Sequence, residues 1–259
     1  MTDITYLDSG VCLGRLANGA HLDVAELLAE MDAHGIQASA AHHAVAREHD
    51  PATGNAQLIT EIADSPRILP VWTVLPSHTD EFPHPDDFVA QARAAGVGLA
   101  RMFPAVDLPG HRLALREWSV GPLLSALERA RIPLFLDFLL FRRGEPPWDD
   151  IVEVCEHHPD LIVILVDVQG RNNRNLYPLL SRYPGLRVQS SGFNVHNGIE
   201  DLCERFGAER LVFGSGAPHG YVGSARFHLD RARISDQERA LIASGNLLAM
   251  LEAQKGVTP

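Results

Sequence analysis

Two aspartates stand where a carboxylate could act as an acid or a base. Asp137 follows the apolar run Leu134–Leu136, and Asp167 follows the apolar run 161–166. Two carboxyl groups that lie close together cannot both ionise easily, so the pKa of one of them should rise. Such a pair can supply both an acid and a base. The structural alternative is that Asp137 pairs with Arg101 and that Asp167 caps or pairs with a loop group.

Arginines follow the same two apolar runs. Arg142 lies after the first run and Arg171 after the second, while Arg101 lies within an earlier apolar segment. A guanidinium group binds a carboxylate or phosphate through two parallel hydrogen bonds. These three residues are therefore candidate ligands for a small anionic substrate. The alternative is a solvated loop with surface ion pairs.

Histidine and serine side chains supply further candidates. His42 and His43 are adjacent on a predicted strand and point in opposite directions, so at most one faces the interior of a barrel. We take His42, Ser191 and His196 as candidate substrate-binding residues and His219 as a candidate catalytic residue beside Asp137 and Asp167.

Cysteine could contribute either chemistry or structure. Cys12 could bind a metal or act as a nucleophile, although no activating partner lies near it in the sequence. The three cysteines are widely spaced and form no C-x-x-C motif, which disfavours a disulfide framework and indicates a cytoplasmic protein. Neither a G-x-S-x-G elbow nor a Walker loop occurs.

The elements that must position these side chains alternate along the chain. Apolar residues at Val24, Leu27, Leu28 and Met31 predict one face of a helix, with a capping box of Asp23 and Glu26 at its start. We expect a second helix to open at Asn55, and a capping box at Ser235 to start the last helical region. Eight short apolar runs follow or precede such helical patterns, at 4–7, 36–41, 68–75, 97–103, 134–138, 161–166, 186–190 and 211–213.

Alternating strands and helices predict a parallel sheet, and eight repeats favour a closed (β/α)8 TIM barrel. In such a barrel the active site lies at the carboxyl ends of the strands, where the candidate residues fall. The alternative is an open doubly wound sheet, although no G-x-G-x-x-G follows the first strand. A barrel of this kind needs roughly 250 residues, so we expect residues 1–259 to form a single barrel domain.

Composition narrows the class of partner. The formal net charge of −11 disfavours nucleic acid and anionic membrane surfaces, because both bind basic faces. No apolar run is long enough to span a bilayer, and no signal peptide is evident at the N-terminus. We expect a small-molecule substrate and leave a homo-oligomer open.

Several motifs resemble the amidohydrolase-related (amidohydrolase 2) family of metal-dependent hydrolases and decarboxylases. Residues 213–219 read F-G-S-G-A-P-H and look like the family's eighth-strand F-G-S-D-x-P-H. Residues 245–248 read G-N-L-L and are similar to the family's closing helix start. The first strand, read D-S-G-V-C from Asp8, looks like the family's D-x-H-x-H. The resemblance implies an amidohydrolase-like β/α barrel.

The same resemblance implies that the usual metal ligands are replaced. Gly10 and Cys12 occupy the two first-strand histidine positions, Asp137 and Asp167 the fifth- and sixth-strand histidines, and Gly216 the eighth-strand aspartate. We therefore expect no cofactor and a hydrolase or lyase that acts on a small carboxylated molecule without metal. One alternative is a non-catalytic barrel that binds a ligand or protein partner. A further alternative is a hydrolase whose zinc site is rebuilt from Cys12, Asp137 and Asp167.

Overall fold

The computed structural model describes residues 4–104, 108–140 and 144–255, and within them a nine-stranded sheet curls into a barrel. The strands are β1 Tyr6–Arg15, β2 His21–Leu22, β3 Ile36–His43, β4 Ile68–Thr73, β5 Leu99–Met102, β6 Leu134–Leu136, β7 Val163–Leu165, β8 Leu186–Gln189 and β9 Leu211–Val212. Their order is β2-β1-β3-β4-β5-β6-β7-β8-β9, and all neighbours pair in parallel except the β1–β2 hairpin. The predicted (β/α)8 TIM barrel is confirmed.

The barrel closes between its first and last parallel strands. Ser9 N donates to Phe213 O at 3.0 Å, and Cys12 N donates to Ala217 O at 2.9 Å. The buried carboxylate of Asp8 adds a further tie, because its Oδ1 accepts from Ser215 N at 2.8 Å. An open doubly wound sheet is therefore excluded.

Helices follow most of the strands and cover the outside of the barrel. They are α1 Val24–His34, α2 Ala44–Glu48, α3 Pro51–Glu61, α4 Pro85–Ala94, α5 Glu117–Ala130, α6 Trp148–His157, α7 Asn173–Arg182, α8 Gly198–Phe206, α9 Val222–Arg231, α10 Asp236–Ala240 and α11 Asn246–Glu252. Asp23 and Glu26 form the capping box of α1, which ends at Gly35 with φ 61°. No helix of the described residues combines the length and apolarity needed to cross a bilayer.

Most predicted strand bounds differ from the observed ones by one or two residues, and two boundaries differ by more. The first strand spans Tyr6–Arg15 rather than 4–7, and register shifts between Asp8 and Val11 interrupt its pairing with β3. These shifts break the regular alternation on which a strand prediction depends. Helix α3 begins at Pro51 rather than Asn55, because Asp50 caps it by accepting from Thr53 N at 2.7 Å.

The strands carry side chains in layers inside the barrel. Ala40, Leu99 and Phe135 belong to one buried apolar cluster, which Leu247 and Met250 of α11 join. Successive side chains on a strand alternate between its two faces. Residues two positions further along the same strands therefore point to the same interior, one layer closer to the carboxyl ends, and these are His42, Arg101 and Asp137.

Candidate functional site

The carboxyl ends of the strands surround a cavity of about 730 Å³. Residues of β1, β3, β5 and β8, and of the segments that follow β6, β7 and β9, line it. This is the end of a β/α barrel at which active sites are found. The cavity is therefore the candidate site.

Arg101 and Asp137 form a buried ion pair in the wall of the cavity. Arg101 Nη2 donates to Asp137 Oδ2 at 2.5 Å, and the two side chains are 6% and 5% exposed. The second oxygen of Asp137 accepts from Leu139 N at 2.9 Å. Asp137 thus pairs with Arg101, as the structural alternative predicted, and Arg101 and Leu139 N together occupy both oxygens of this carboxylate.

Asp167 differs from Asp137 in its surroundings. Its φ of 55° lies in the left-handed region, which aspartate and asparagine tolerate better than most residues. Burial, followed by the charge of Asp137, raises the pKa of Asp167 from 3.8 to about 6, against the opposing charge of Arg101. Of the two aspartates, Asp167 is therefore the one that can exchange a proton near neutral pH.

A chain of hydrogen bonds connects Asp167 to the first strand. Gln189 Nε2 donates to Ser9 O at 3.1 Å, which fixes the orientation of the amide because a carbonyl oxygen only accepts. The Ser191 hydroxyl lies 2.9 Å from Gln189 Oε1 and 3.3 Å from Asp167 Oδ1. One hydroxyl proton cannot serve both acceptors at once. When Ser191 donates to Gln189, its oxygen is free to accept the proton of a neutral Asp167.

His42 is a buried polar group in the cavity wall. Its side chain is 4% exposed, and neither ring nitrogen has a hydrogen-bond partner among the described residues. Burial first, and then the charge of Arg101, holds the pKa of His42 well below its usual value, so the ring is neutral. The neighbouring His43 points away, with Nε2 3.4 Å from Glu61 Oε2. Of the two histidines, His42 therefore faces the cavity.

Arg47 lines the cavity as well, and the sequence patterns did not identify it. It lies on α2, directly after β3, and is 7% exposed. Its positive charge acts on the pKa values of His42, Asp167 and His219. Its position in the sequence could have identified it, because a short segment directly after a barrel strand lies at the same end of the barrel as the active site.

The remaining candidates lie at the edge of the cavity or away from it. Arg171 and His219 line the mouth and are exposed, and Ser191 is half-buried in the wall. Burial, and then the charge of Arg47, lowers the pKa of His219. His196 is exposed and is not part of the cavity wall, so the structure does not place it with the other candidates. Arg142 lies outside the described residues.

The sequence of this chain matches the model of a known protein family. The model of the amidohydrolase family, Amidohydro_2, matches residues 14–252. The chain belongs to the amidohydrolase family. The match spans the barrel from β1 to α11 and therefore includes all the candidate residues except Cys12 and Gly10. Comparison with curated protein sequences gave no significant match.

Solved structures similar to this amidohydrolase-family chain share its barrel. An uncharacterized TIM-barrel protein of Bordetella bronchiseptica is 17% identical, with a TM-score of 0.73 over 98% of this chain and 100% of its own. A 2,6-dihydroxybenzoate decarboxylase from Rhizobium is 16% identical, with a TM-score of 0.71 over 98% and 99%. A putative 2-pyrone-4,6-dicarboxylic acid hydrolase from Pseudomonas putida is 16% identical, with a TM-score of 0.69 over 96% and 98%. These likenesses establish the fold.

The donor set of this family member does not fit the metal that the family resemblance implies. Gly10 and Gly216 carry no side-chain donor, and a Cβ at position 10 would lie 3.0 Å from Gln189 Nε2. The Gln189 amide thus fills the space into which a first-strand ligand would project. Across 4–104, 108–140 and 144–255, no three His, Cys, Asp or Glu side chains converge on a point that could hold a metal ion. The alternative zinc set of Cys12, Asp137 and Asp167 is not assembled.

Cys12 is also a poor nucleophile here. Its side chain is 3% exposed, and burial raises the pKa of the thiol to about 12. The reactive form of cysteine is the thiolate, which burial suppresses at neutral pH. Cys12 therefore lines the cavity as a small neutral side chain.

Proposed function

We propose that this protein is a hydrolase or lyase that acts on a small carboxylated molecule without a metal ion. The observation that carries the proposal is the pair of environments at Asp137 and Asp167. One carboxylate is committed to Arg101, and the other has a pKa of about 6 in the same cavity. Environments that separate the pKa values of two neighbouring carboxyl groups are typical of acid–base catalysis.

The charges of the cavity support an anionic substrate. Arg47 and Arg101 lie in its wall and Arg171 at its mouth, against the negative charge of Asp137 and the partial charge of Asp167. Guanidinium groups in a water-poor cavity bind a carboxylate more strongly than they do in bulk water. We assign the substrate carboxylate to Arg47 and Arg101, and a neutral hydrogen-bonding group of the substrate to His42.

Asp167 has a defined role in either reaction. In hydrolysis, ionised Asp167 takes a proton from the attacking water while the water oxygen bonds to the carbonyl carbon of the substrate. Asp167 then returns that proton to the leaving oxygen as the bond between this oxygen and the carbonyl carbon breaks. In decarboxylation, the C–C electron pair stays on the substrate carbon as carbon dioxide leaves, and protonated Asp167 supplies the proton that this carbon takes up. His219 at the mouth is the second candidate for proton transfer.

The first test replaces the proton-carrying group. Asp167→Asn keeps the size of the side chain and tolerates the left-handed backbone, but it cannot exchange a proton at neutral pH. We expect kcat/KM to fall by about 10²- to 10⁴-fold on a substrate found among small carboxylated lactones and aromatic acids. Asp64→Asn, which removes an exposed carboxylate beyond α3, is the matched control.

The alternative function is a barrel that binds a ligand without turnover, and the replaced metal positions at Gly10 and Gly216 favour it. It predicts carboxylated ligands that raise the melting temperature while no member of the panel is consumed. Turnover that survives unchanged in Asp167→Asn would reject the role of this residue. Turnover abolished by Asp167→Asn but kept in Asp64→Asn would reject the non-catalytic alternative.

A further inference from the structure

The cavity is chemically different at its two ends. The polar end carries His42 on β3, Arg47 on α2 and Arg101 on β5. The other end is bordered by apolar side chains from the segment after β8, from α8, from the segment after β9 and from α9. We call this second end the apolar chamber, and its residues are Val195, Ile199, Ala217, Ala225 and Leu229.

The apolar chamber is a preformed, buried wall rather than open surface. Ile199 and Leu229 are each 1% exposed, and Ala217 is 7% exposed. These side chains belong to, or pack against, the main hydrophobic core, as Val195 and Ala225 do. The wall is therefore held in place by packing, and a preformed apolar wall binds apolar groups without reorganisation.

The barrel topology places Arg101 opposite the segment after β9, whereas Arg47 follows β3, two strands from β9. Eight parallel strands follow the order β1, β3, β4, β5, β6, β7, β8 and β9, so β5 and β9 lie four strands apart around the ring. Arg101 projects from β5, whereas Ala217 follows β9 and Ala225 and Leu229 lie on the next helix. A ligand that contacts both Arg101 and these residues must extend across the barrel mouth.

The size of the cavity fits such a ligand. Its volume of about 730 Å³ lies within the roughly 300–1,000 Å³ that accommodates drug-sized molecules. Tyr221 is 82% exposed at the rim of the chamber, and Ser224 and His228 border it on the α9 side. An aromatic side chain at this position can cover the outer part of an apolar group.

We propose that the ligand of this site is an amphipathic carboxylic acid, with its carboxylate at Arg47 and Arg101 and an apolar chain or ring in the apolar chamber. The carboxylate half rests on the proposed function. The apolar half rests only on the chamber. In this proposal the segments around α8 and α9 determine which length of acid binds best. Ala225 is the residue at which that choice can be changed.

The test measures affinity against chain length by titration calorimetry. The probes are butanoate, hexanoate and octanoate, together with the uncharged alcohols 1-butanol, 1-hexanol and 1-octanol. Each buried methylene should tighten binding by about fourfold in the wild-type protein. Ala225→Phe should fill the chamber and remove the gain from hexanoate to octanoate, while butanoate affinity changes by less than about twofold.

Matched variants make the result specific. Ala56→Phe places the same side chain at an exposed position of α3 and should leave the chain-length dependence intact. Ala225→Leu is a smaller change and should give an intermediate loss, which keeps the test valid if Ala225→Phe folds poorly. Arg47→Gln should weaken all the acids by a similar factor and leave the alcohols unchanged.

The two series separate failure of the chamber from failure of the proposed function. Affinity that does not grow with chain length in either series, or that grows equally in Ala225→Phe, would overturn the chamber. Alcohols whose affinity increases with chain length, with acids that bind no more tightly than alcohols of the same length, would support the chamber and reject the carboxylate site. Growth in both series that is lost in Ala225→Phe, together with acids that bind more tightly than alcohols of the same length, would support both.

Discussion

Two aspartates that look alike in the sequence have different chemistry at the residue scale. Asp137 accepts from Arg101 and from Leu139 N, so both of its oxygens are occupied. Asp167 has a half-buried serine as its neighbour and a pKa raised to about 6. The difference comes from partners on other strands. On this difference rests our proposal that Asp137 balances charge and that Asp167 exchanges the proton.

A raised carboxyl pKa has a consequence for stability. The pKa of Asp167 is about 6 in the folded protein, against an ordinary value of 3.8. The folded state therefore binds this proton more tightly than the unfolded state, so Asp167 lowers stability progressively as pH rises through this interval. Above the folded pKa the cost is complete, at roughly 1–3 kcal/mol.

Asp167→Asn removes this cost. We expect the variant to be more stable than wild type by roughly 1–3 kcal/mol at about pH 8, and equal to it at about pH 4. Urea unfolding at the two pH values measures the difference. Asp64→Asn should show no such pH-dependent gain. Equal stability of wild type and Asp167→Asn at the higher pH would contradict the raised pKa.

At the element scale, the short helix α2 places a positive charge in the cavity wall. It carries Arg47, and it packs against α3 so closely that a Cβ at Gly54 would lie 2.0 Å from Ala46 N. Only glycine permits this approach. Helix α3 is itself anchored by the Asp50 cap. The position of Arg47 therefore depends on a contact between two helices rather than on β3 alone.

Gly54→Ala tests this contact. The added methyl group must displace α2, and we expect a loss of roughly 1–3 kcal/mol of stability. Because α2 carries Arg47, binding of short carboxylates should weaken at the same time. Unfolding experiments and butanoate titration measure the two effects.

The matched control for Gly54→Ala is Gly245→Ala. Gly245 also has a helical φ, of −57°, and the nearest atom to its added Cβ is the flexible end of Leu241 at 3.3 Å. This variant should fold and bind as wild type does. A Gly54→Ala protein with unchanged stability and affinity would show that α2 can move without consequence.

At the scale of the whole molecule, closure of the barrel brings distant segments to one cavity. Asp8 and Ser215 are joined by a hydrogen bond, as are Ser9 and Gln189, although each pair is far apart in the chain. Gln189 thereby occupies the interior beside Gly10 and Gly214. In this barrel an amide side chain links the strands at the place where the family resemblance implies a metal ligand.

This arrangement predicts the metal content of the whole protein. Purified without a chelating tag and without added metal, it should carry far less than stoichiometric zinc or manganese, and a chelator should leave its melting temperature unchanged. Elemental analysis and thermal unfolding measure the two quantities. Stoichiometric metal, with a melting temperature that falls on chelation, would revive the zinc alternative. That residues 1–259 form a single domain and that the protein is cytoplasmic stay predictions, and a homo-oligomer stays open.

Features that depend on near neighbours in the chain were predictable from the sequence. The alternation of apolar runs and helical patterns predicted eight parallel strands, and capping boxes at Asp23 and Ser235 marked helix starts correctly. It also placed Asp137 and Asp167 after their strands. These features follow from local backbone geometry and side-chain period, which a sequence records directly. The register shifts in β1 escaped because they break the period, whereas the start of α3 was missed although the Asp50 cap and Pro51 mark it locally.

Which side chains contact each other could be seen only in the tertiary structure. It joined Arg101 to Asp137, turned His42 rather than His43 into the cavity, brought Arg47 in from α2 and left His196 outside. It also put Gln189 into the space beside Gly10, and it divided the cavity into a cationic end and an apolar chamber. Contacts of this kind join residues on different strands, so they depend on barrel closure and packing rather than on any pattern of neighbouring residues.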